Sequence, residues 1–209
     1  MNLTKLTPAL RTPKGRRIAA ALVTATAGAA VVVPVPSASA AEIRVNFDGG
    51  TPGAPCNFVS TAPLRNQYAG VGIRFRGPSA LDGGAVLDTC ANFGGVNPRS
   101  GLRFLAFNAF AGPMTNGGTP RGPEHILFNK RMKKVSIWVS QGGGVLGTPT
   151  FKLVGKRNGN TIRTATATTN TADWVKLTIN QKKGFDKAVL SVTGDPNRAW
   201  VADDLVVRR

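Results

Sequence analysis

Histidine is all but missing from this sequence: His125 is the only one among 209 residues. A Ser-His-Asp or Cys-His mechanism would have to rest on that residue alone. It sits in GPEHILFN, beside Glu124 at the start of a predicted strand, a setting that suits a structural or surface histidine better than a catalytic one. Cysteine is nearly as scarce. Cys56 and Cys90 are the only two, and with a single histidine they make no recognisable zinc cluster. In an exported chain such a pair reads as one disulfide, Cys56–Cys90, which would stabilise the fold by a few kcal/mol through the unfolded state. Acidic residues are few as well, ten against 27 Lys and Arg, and the formal net charge is +17. No two carboxylates are marked by their context as the pair that glycoside hydrolysis requires. Sandwich folds can host such chemistry, so a polysaccharide hydrolase or lyase stays open as an alternative.

Long apolar runs are absent beyond residue 40, and what precedes it has the layout of an export signal. Lys5, Arg11, Lys14, Arg16 and Arg17 form a positive start, Ile18 to Val35 an apolar stretch, and SASA a small-residue cleavage site before Ala41. An uncleaved membrane anchor is the rival reading, and Pro34, Pro36 and the A-x-A ending favour cleavage. Cleavage implies a secreted or envelope-associated product of residues 41–209, one domain's worth of chain. Losing five of the 27 basic residues leaves 22 against ten acids, or +12. Such a charge attracts polyanions, among them anionic cell-wall polymers, acidic polysaccharides and, non-specifically, nucleic acid.

Helical periodicity is also absent, since no apolar stripe of period 3.6 lasts three turns. In its place stand short alternating runs separated by Gly, Pro, Asn and Thr. Eleven strands are predicted: residues 42–47, 71–76, 84–88, 102–108, 125–129, 134–140, 150–156, 161–168, 173–179, 187–193 and 199–207. Spacing of this kind points to an all-β antiparallel sandwich in a single domain, with little helix apart from the signal peptide. Asn158-Gly159 fits a type I′ turn joining two strands. GGGVLG, residues 142–147, matches G-x-G-x-x-G, but the strand pattern that follows excludes the helix a dinucleotide site needs.

VNFDGG, YAGVGIRF, GAVLDTCANFGGVNPRSGLRFLAFN and the closing WVADDLVV together resemble secreted bacterial jelly-roll sandwiches and carbohydrate-binding modules. The paired aspartates of the last strand are similar to those that end MAM-type adhesion domains. The resemblance implies a structural calcium ion between the first and last strands, held by Asp48 and by Asp203 or Asp204. It implies a fold more than an activity, because each motif is short. Strict alternation puts Asp203 on one face of the last strand and Asp204 on the other, so one of them is expected to point toward the core. An arginine partner for that carboxylate is the alternative to calcium.

The same alternation sends Trp138, Trp174, Lys176, Arg44, Arg74 and Arg76 outward from their strands. Aromatic rings beside cations are what a platform for anionic sugars needs, the ring for stacking and the charge for the acid group. Trp138, Trp174, Arg74 and Lys176 are therefore the candidate ligand contacts. The expected function is a secreted, non-enzymatic module that binds carbohydrate or an anionic cell-surface polymer. A structural cell-envelope protein without a discrete site is the remaining alternative.

Overall fold

The computed structural model describes residues 41–49, 64–77, 84–88, 96–107, 123–141, 148–169, 173–193 and 200–209. The expected signal segment, Cys56, Cys90 and the glycine run 142–147 lie outside them. All the described residues belong to the unit Ser39–Arg209. They form β1 (Glu42–Val45), β2 (Ile73–Arg76), β3 (Gly84–Asp88), β4 (Arg103–Phe107), β5 (Glu124–Gln141), β6 (Thr150–Arg157), β7 (Asn160–Thr168), β8 (Val175–Thr193) and β9 (Trp200–Arg208). A single 3-10 turn, Ala69–Val71, precedes β2, and no helix among the described residues is long and apolar enough to cross a membrane.

All pairing is antiparallel, and hydrogen bonding is continuous through nine strands because β5 and β8 each serve two layers. The front layer contains the C-terminal half of β5, the N-terminal half of β8, and β9 with β4 and β1 along its other edge. The back layer contains the N-terminal half of β5 beside β2, and the C-terminal half of β8 beside β6, which carries β7. The expected strands at 125–129 and 134–140 are thus one strand of 18 residues, and those at 173–179 and 187–193 are one of 19. Between them KRMKK and NQKKGFD carry exposed lysines that read as turns, yet Met132 and Phe185 pair across the bend and are both buried. Two strands that bend from one sheet to the other close the corner of the sandwich.

Alternation places the core between the layers. Val135, Ile137, Val139, Leu177, Ala202, Leu205 and Val207 face inward from the front, and Ile73, Phe75, Ile126, Leu153, Ala188 and Leu190 from the back. Each fully buried aliphatic or aromatic side chain of this kind contributes about 1.5–3 kcal/mol. At the end of β6, Asn158 and Gly159 have φ of 51° and 82°, the left-handed pair a type I′ hairpin demands. A β-carbon on Gly155 of β6 would collide with the Phe185 ring, so that strand needs glycine where it crosses the corner.

The outer faces differ. Over β3, β4 and the start of β9, the front layer carries a second apolar cluster of Leu87, Val96, Phe104, Ala106 and Val201, with Trp174 packed on it. Elsewhere on the outer front face the described residues line a cleft.

Candidate functional site

The final strand decides the geometry of that cleft. Ser136 of β5 lies opposite Val206, but Trp138 lies opposite Asp203, so two steps on β5 are matched by three on β9. The extra residue is a β-bulge. Asp204 occupies it with φ 49°, a left-handed conformation that aspartate tolerates better than most side chains. The bulge resets the alternation: Trp200 and Ala202 face the core before it, Leu205 and Val207 after it. Neither aspartate points into the main core, which corrects the expectation from strict alternation.

Asp203 is buried on the outer side, under the loop that precedes β4. Its Oδ2 accepts the backbone N–H groups of Arg99 (2.9 Å) and Ser100 (3.0 Å), and its Oδ1 accepts that of Asp204 (2.7 Å). Burial pushes its pKa up to about 7, although the amide hydrogens of Ser100, Asp204 and Arg99 pull it down; the charge of Asp204 also raises it. Asp48 holds the other end of the same loop. Its Oδ1 accepts from the N–H of Leu102 (2.8 Å) and of Arg103 (3.0 Å), and Asn46 Nδ2 donates to Oδ2 at 2.8 Å. Between the two anchors Gly101 turns with φ 62°, and a β-carbon there would run into the Asp48 carboxylate.

These anchors bear on calcium. Asp48 and Asp203 are brought to one loop, but their oxygens are aimed at amide hydrogens, where a cation would need lone pairs. Among the described residues no group of three His, Cys, Asp or Glu side chains could hold a metal. Among the described residues these two carboxylates do not by themselves make a calcium site, and the loop carbonyls beyond Gly49 that the expectation also needs lie outside the described residues. Cys56 and Cys90, the expected disulfide partners, also lie outside them.

Held in this way, the loop presents Arg99 and Ser100 to the outer front face. Arg99 Nη1 donates to Asp204 Oδ2, and Ser100 Oγ donates to Asp204 Oδ1 at 2.7 Å. The Arg99 guanidinium lies 3.9 Å over the centre of the Trp138 ring, and Lys176 Nζ lies 5.6 Å from the same centre. The adjacency follows from register, since Lys176 of β8 is directly opposite Trp138 of β5. The side chains enclose a cleft of about 440 Å³ on the outer front face. Lys134, Ser136 and Trp138 of β5 make its floor, flanked by Lys176 on one side and by Asp204 and Val206 on the other. Glu42 and Arg44 of β1 close the far wall, paired with each other at 2.6 Å.

Both cleft acids are thus engaged by an arginine, while Lys134 and Lys176 have no carboxylate partner among the described residues. Ser136 Oγ, buried in the floor, has no hydrogen-bond partner among them either. Chemically this is a cationic, partly aromatic groove with a spare hydroxyl.

Of the four expected contacts, the structure brings Trp138 and Lys176 together and leaves the other two elsewhere. Trp174 faces outward as its parity requires, but it packs on the second apolar cluster, and its Nε1 donates to the carbonyl of Asn97 at 3.3 Å. Arg74 is exposed on β2, on the outer face of the back layer. Sequence reasoning missed Arg99 and Ser136. One basic residue among 27 and one serine in a strand give no signal before the loop and the register are known.

No family model matches the chain, and no curated protein matches it in sequence. Solved structures do resemble it. The K2 cleaved adhesin domain of Lys-gingipain (Kgp) aligns with a TM-score of 0.50 and 10% identity, over 81% of this chain and 100% of that domain. The CBM22-1 xylan-binding domain of Paenibacillus barcinonensis Xyn10C aligns with a TM-score of 0.41 and 15% identity, over 73% of this chain and 90% of that one. TmCBM61, solved with β-1,4-galactotriose, aligns with a TM-score of 0.40 and 16% identity, over 73% and 99%. At 10% identity the likeness to the adhesin domain is one of fold, and it agrees with the sandwich seen here.

Proposed function

We propose that this protein is a secreted binding module, without catalysis, whose front cleft holds a carbohydrate or the sugar units of an anionic cell-surface polymer. The observation that carries this reading is the Trp138 ring in the cleft, with Arg99 at 3.9 Å, Lys176 at 5.6 Å and the unpartnered Ser136 hydroxyl beside it. A pyranose packs against the Trp138–Arg99 stack, in which the arginine already covers one face of the ring, and its acid groups are met by Lys134 and Lys176. The exported location rests on the basic and apolar leader of residues 1–40.

Binding is favoured over hydrolysis by the state of the acids. Glu42 and Asp204 are each engaged by an arginine, and Asp203 is turned to loop amides, so among the described residues the cleft has no carboxylate free of a partner. A hydrolase on this scaffold would need a pair of carboxylates placed across a bond.

The test is a screen of neutral and acidic glycans and wall polymers against the purified protein and its Trp138→Ala variant. Loss of about 2 kcal/mol of binding in the variant, near thirtyfold, is expected from removing a stacked ring. Equal binding by both proteins would remove the cleft from the account. Turnover of any glycan, abolished by neutralising one carboxylate, would establish the enzymatic alternative. Absence of binding to every polymer would favour a structural envelope protein.

A further inference from the structure

The outer face of the back layer has its own organisation, separate from the cleft. Register sets Arg74 of β2, Leu127 of β5, Lys187 of β8 and Lys156 of β6 directly opposite one another in a row across four strands. The next row is Arg76, His125, Val189 and Val154, and Lys152 follows beyond it on β6. Strands lie about 4.8 Å apart, so the first row is roughly 14 Å long. Arg74 and Arg76 are exposed, and Lys152, Lys156 and Lys187 are half-buried along their stems.

Neither ion pair among the described residues lies on this face. Glu124, the acid nearest in sequence to His125, points into the core opposite Leu190, and Asp186 is taken by the backbone N–H of Asn158 at 2.6 Å. Lys156 and Lys187 stand side by side, a like-charge cross-strand pair that disfavours folding. His125 registers the resulting field: burial first, then Lys187 and Lys156, hold its proton affinity below the ordinary range. A like-charged pair at the centre of a sheet face, with no acid paired to it among the described residues, is explained by an external anion.

We infer that this face is a second binding surface, for a linear acidic polysaccharide carrying carboxylate or sulfate groups. A row of cations crossing the strands suits an extended polymer that repeats its charge at every sugar or every other sugar. Nucleic acid is disfavoured because no Phe, Tyr or Trp projects from these rows to stack a base. A membrane surface is disfavoured because the large apolar side chains exposed among the described residues, Val71 and Leu102, lie outside these strands. The inference does not depend on the cleft, and the two surfaces face opposite ways from the sandwich.

The experiment measures binding of the full chain to polygalacturonate and to dextran sulfate across a salt series, with duplex DNA and phosphatidylglycerol vesicles in parallel. The variants are Lys156→Gln/Lys187→Gln, the same pair with Arg74→Gln/Arg76→Gln, and Trp138→Ala. At least one of the two polysaccharides is expected to bind, which one telling carboxylate from sulfate, with affinity that falls as salt rises. Measured in the Trp138→Ala background, so that the cleft does not contribute, the quadruple variant should lose about tenfold or more and show a shallower salt dependence. The double variant relieves a repulsion, so it should melt no lower than the parent and still bind more weakly. Parent-like binding by the double and quadruple variants, no binding to either polysaccharide, or binding to DNA or vesicles as tight as to the polysaccharides would overturn the assignment.

Discussion

The Arg99 guanidinium lies 3.9 Å above the centre of the Trp138 ring while its Nη1 donates to Asp204. One arginine therefore ties the bulge of the last strand to the aromatic floor of the cleft. An unpaired charge at this point would cost more than the pair does, which answers why a chain with ten acids places two side by side in its final strand. Asp203 shapes the loop that delivers Arg99, and Asp204 receives it.

That linkage is measurable as a coupling. A double-mutant cycle between Arg99→Ala and Asp204→Asn is expected to give about 0.5–1 kcal/mol, because Arg99 is partly exposed and solvent screens the pair. Additive single effects would show that the arginine is held by the ring alone.

The loop from Arg99 to Arg103 is clamped at both ends by carboxylates, Asp203 at Arg99 and Ser100, Asp48 at Leu102 and Arg103. Asp203→Ala leaves three amide donors without an acceptor beside a buried position and is expected to destabilise the protein by about 1–3 kcal/mol in urea unfolding, whereas Asp48→Ala frees more exposed amides and should cost about 0.5–1.5 kcal/mol. The double variant should lose less than the sum, since releasing one end already frees the loop. Full additivity would mean that the two acids act independently.

The strands were legible in the sequence and their continuity was not. Residues 84–88 and 150–157 emerge almost as predicted, because each is a short apolar-rich run bounded in sequence by turn residues. β5 and β8 read as four strands because lysines crowd their bends, where only Met132 and Phe185 reveal that the chain stays in the sheet. Trp138 and Lys176 were legible as outward residues, and their register makes them neighbours. Trp174 obeyed the same parity, yet the outer face at its position is covered, a tertiary fact that local alternation does not contain. The bulge at Asp204 was hidden for a related reason: an aspartate in the left-handed region is spelled like any other aspartate.

Chelating calcium is expected to leave the melting temperature unchanged within error. The oxygens of Asp48 and Asp203 that the sequence pattern offers to a cation accept backbone N–H groups instead. A fall of several degrees with a calcium chelator, restored by added calcium, would show that carbonyls of the segment after Gly49 complete a site with these acids.

Stability should fall as pH rises from mildly acidic to mildly alkaline, and Glu124 sets the upper end of that range. It is fully buried on the inner face, with Oε2 accepting from the N–H of Gly84 at 2.7 Å and Oε1 without a partner among the described residues. Burial pushes its pKa from 4.5 up to about 8, against the opposing pull of the Gly84 amide and the Arg65 charge. The folded chain therefore holds a proton that the unfolded chain releases, so the stabilisation is complete below about pH 4.5 and is lost as pH climbs through about 8. Asp203 acts in the same direction, but its window runs from 3.8 to about 7. The interval between pH 7 and 8 thus belongs mainly to Glu124, and about 1 kcal/mol should disappear across it, since one proton is worth at most ~1.4 kcal/mol per unit. Glu124→Gln keeps an oxygen for Gly84 and cannot ionise. Urea unfolding of this variant should show little slope between pH 7 and 8, and its advantage over the parent should widen as pH rises. A variant whose slope matches the parent's would place the linked proton on another group.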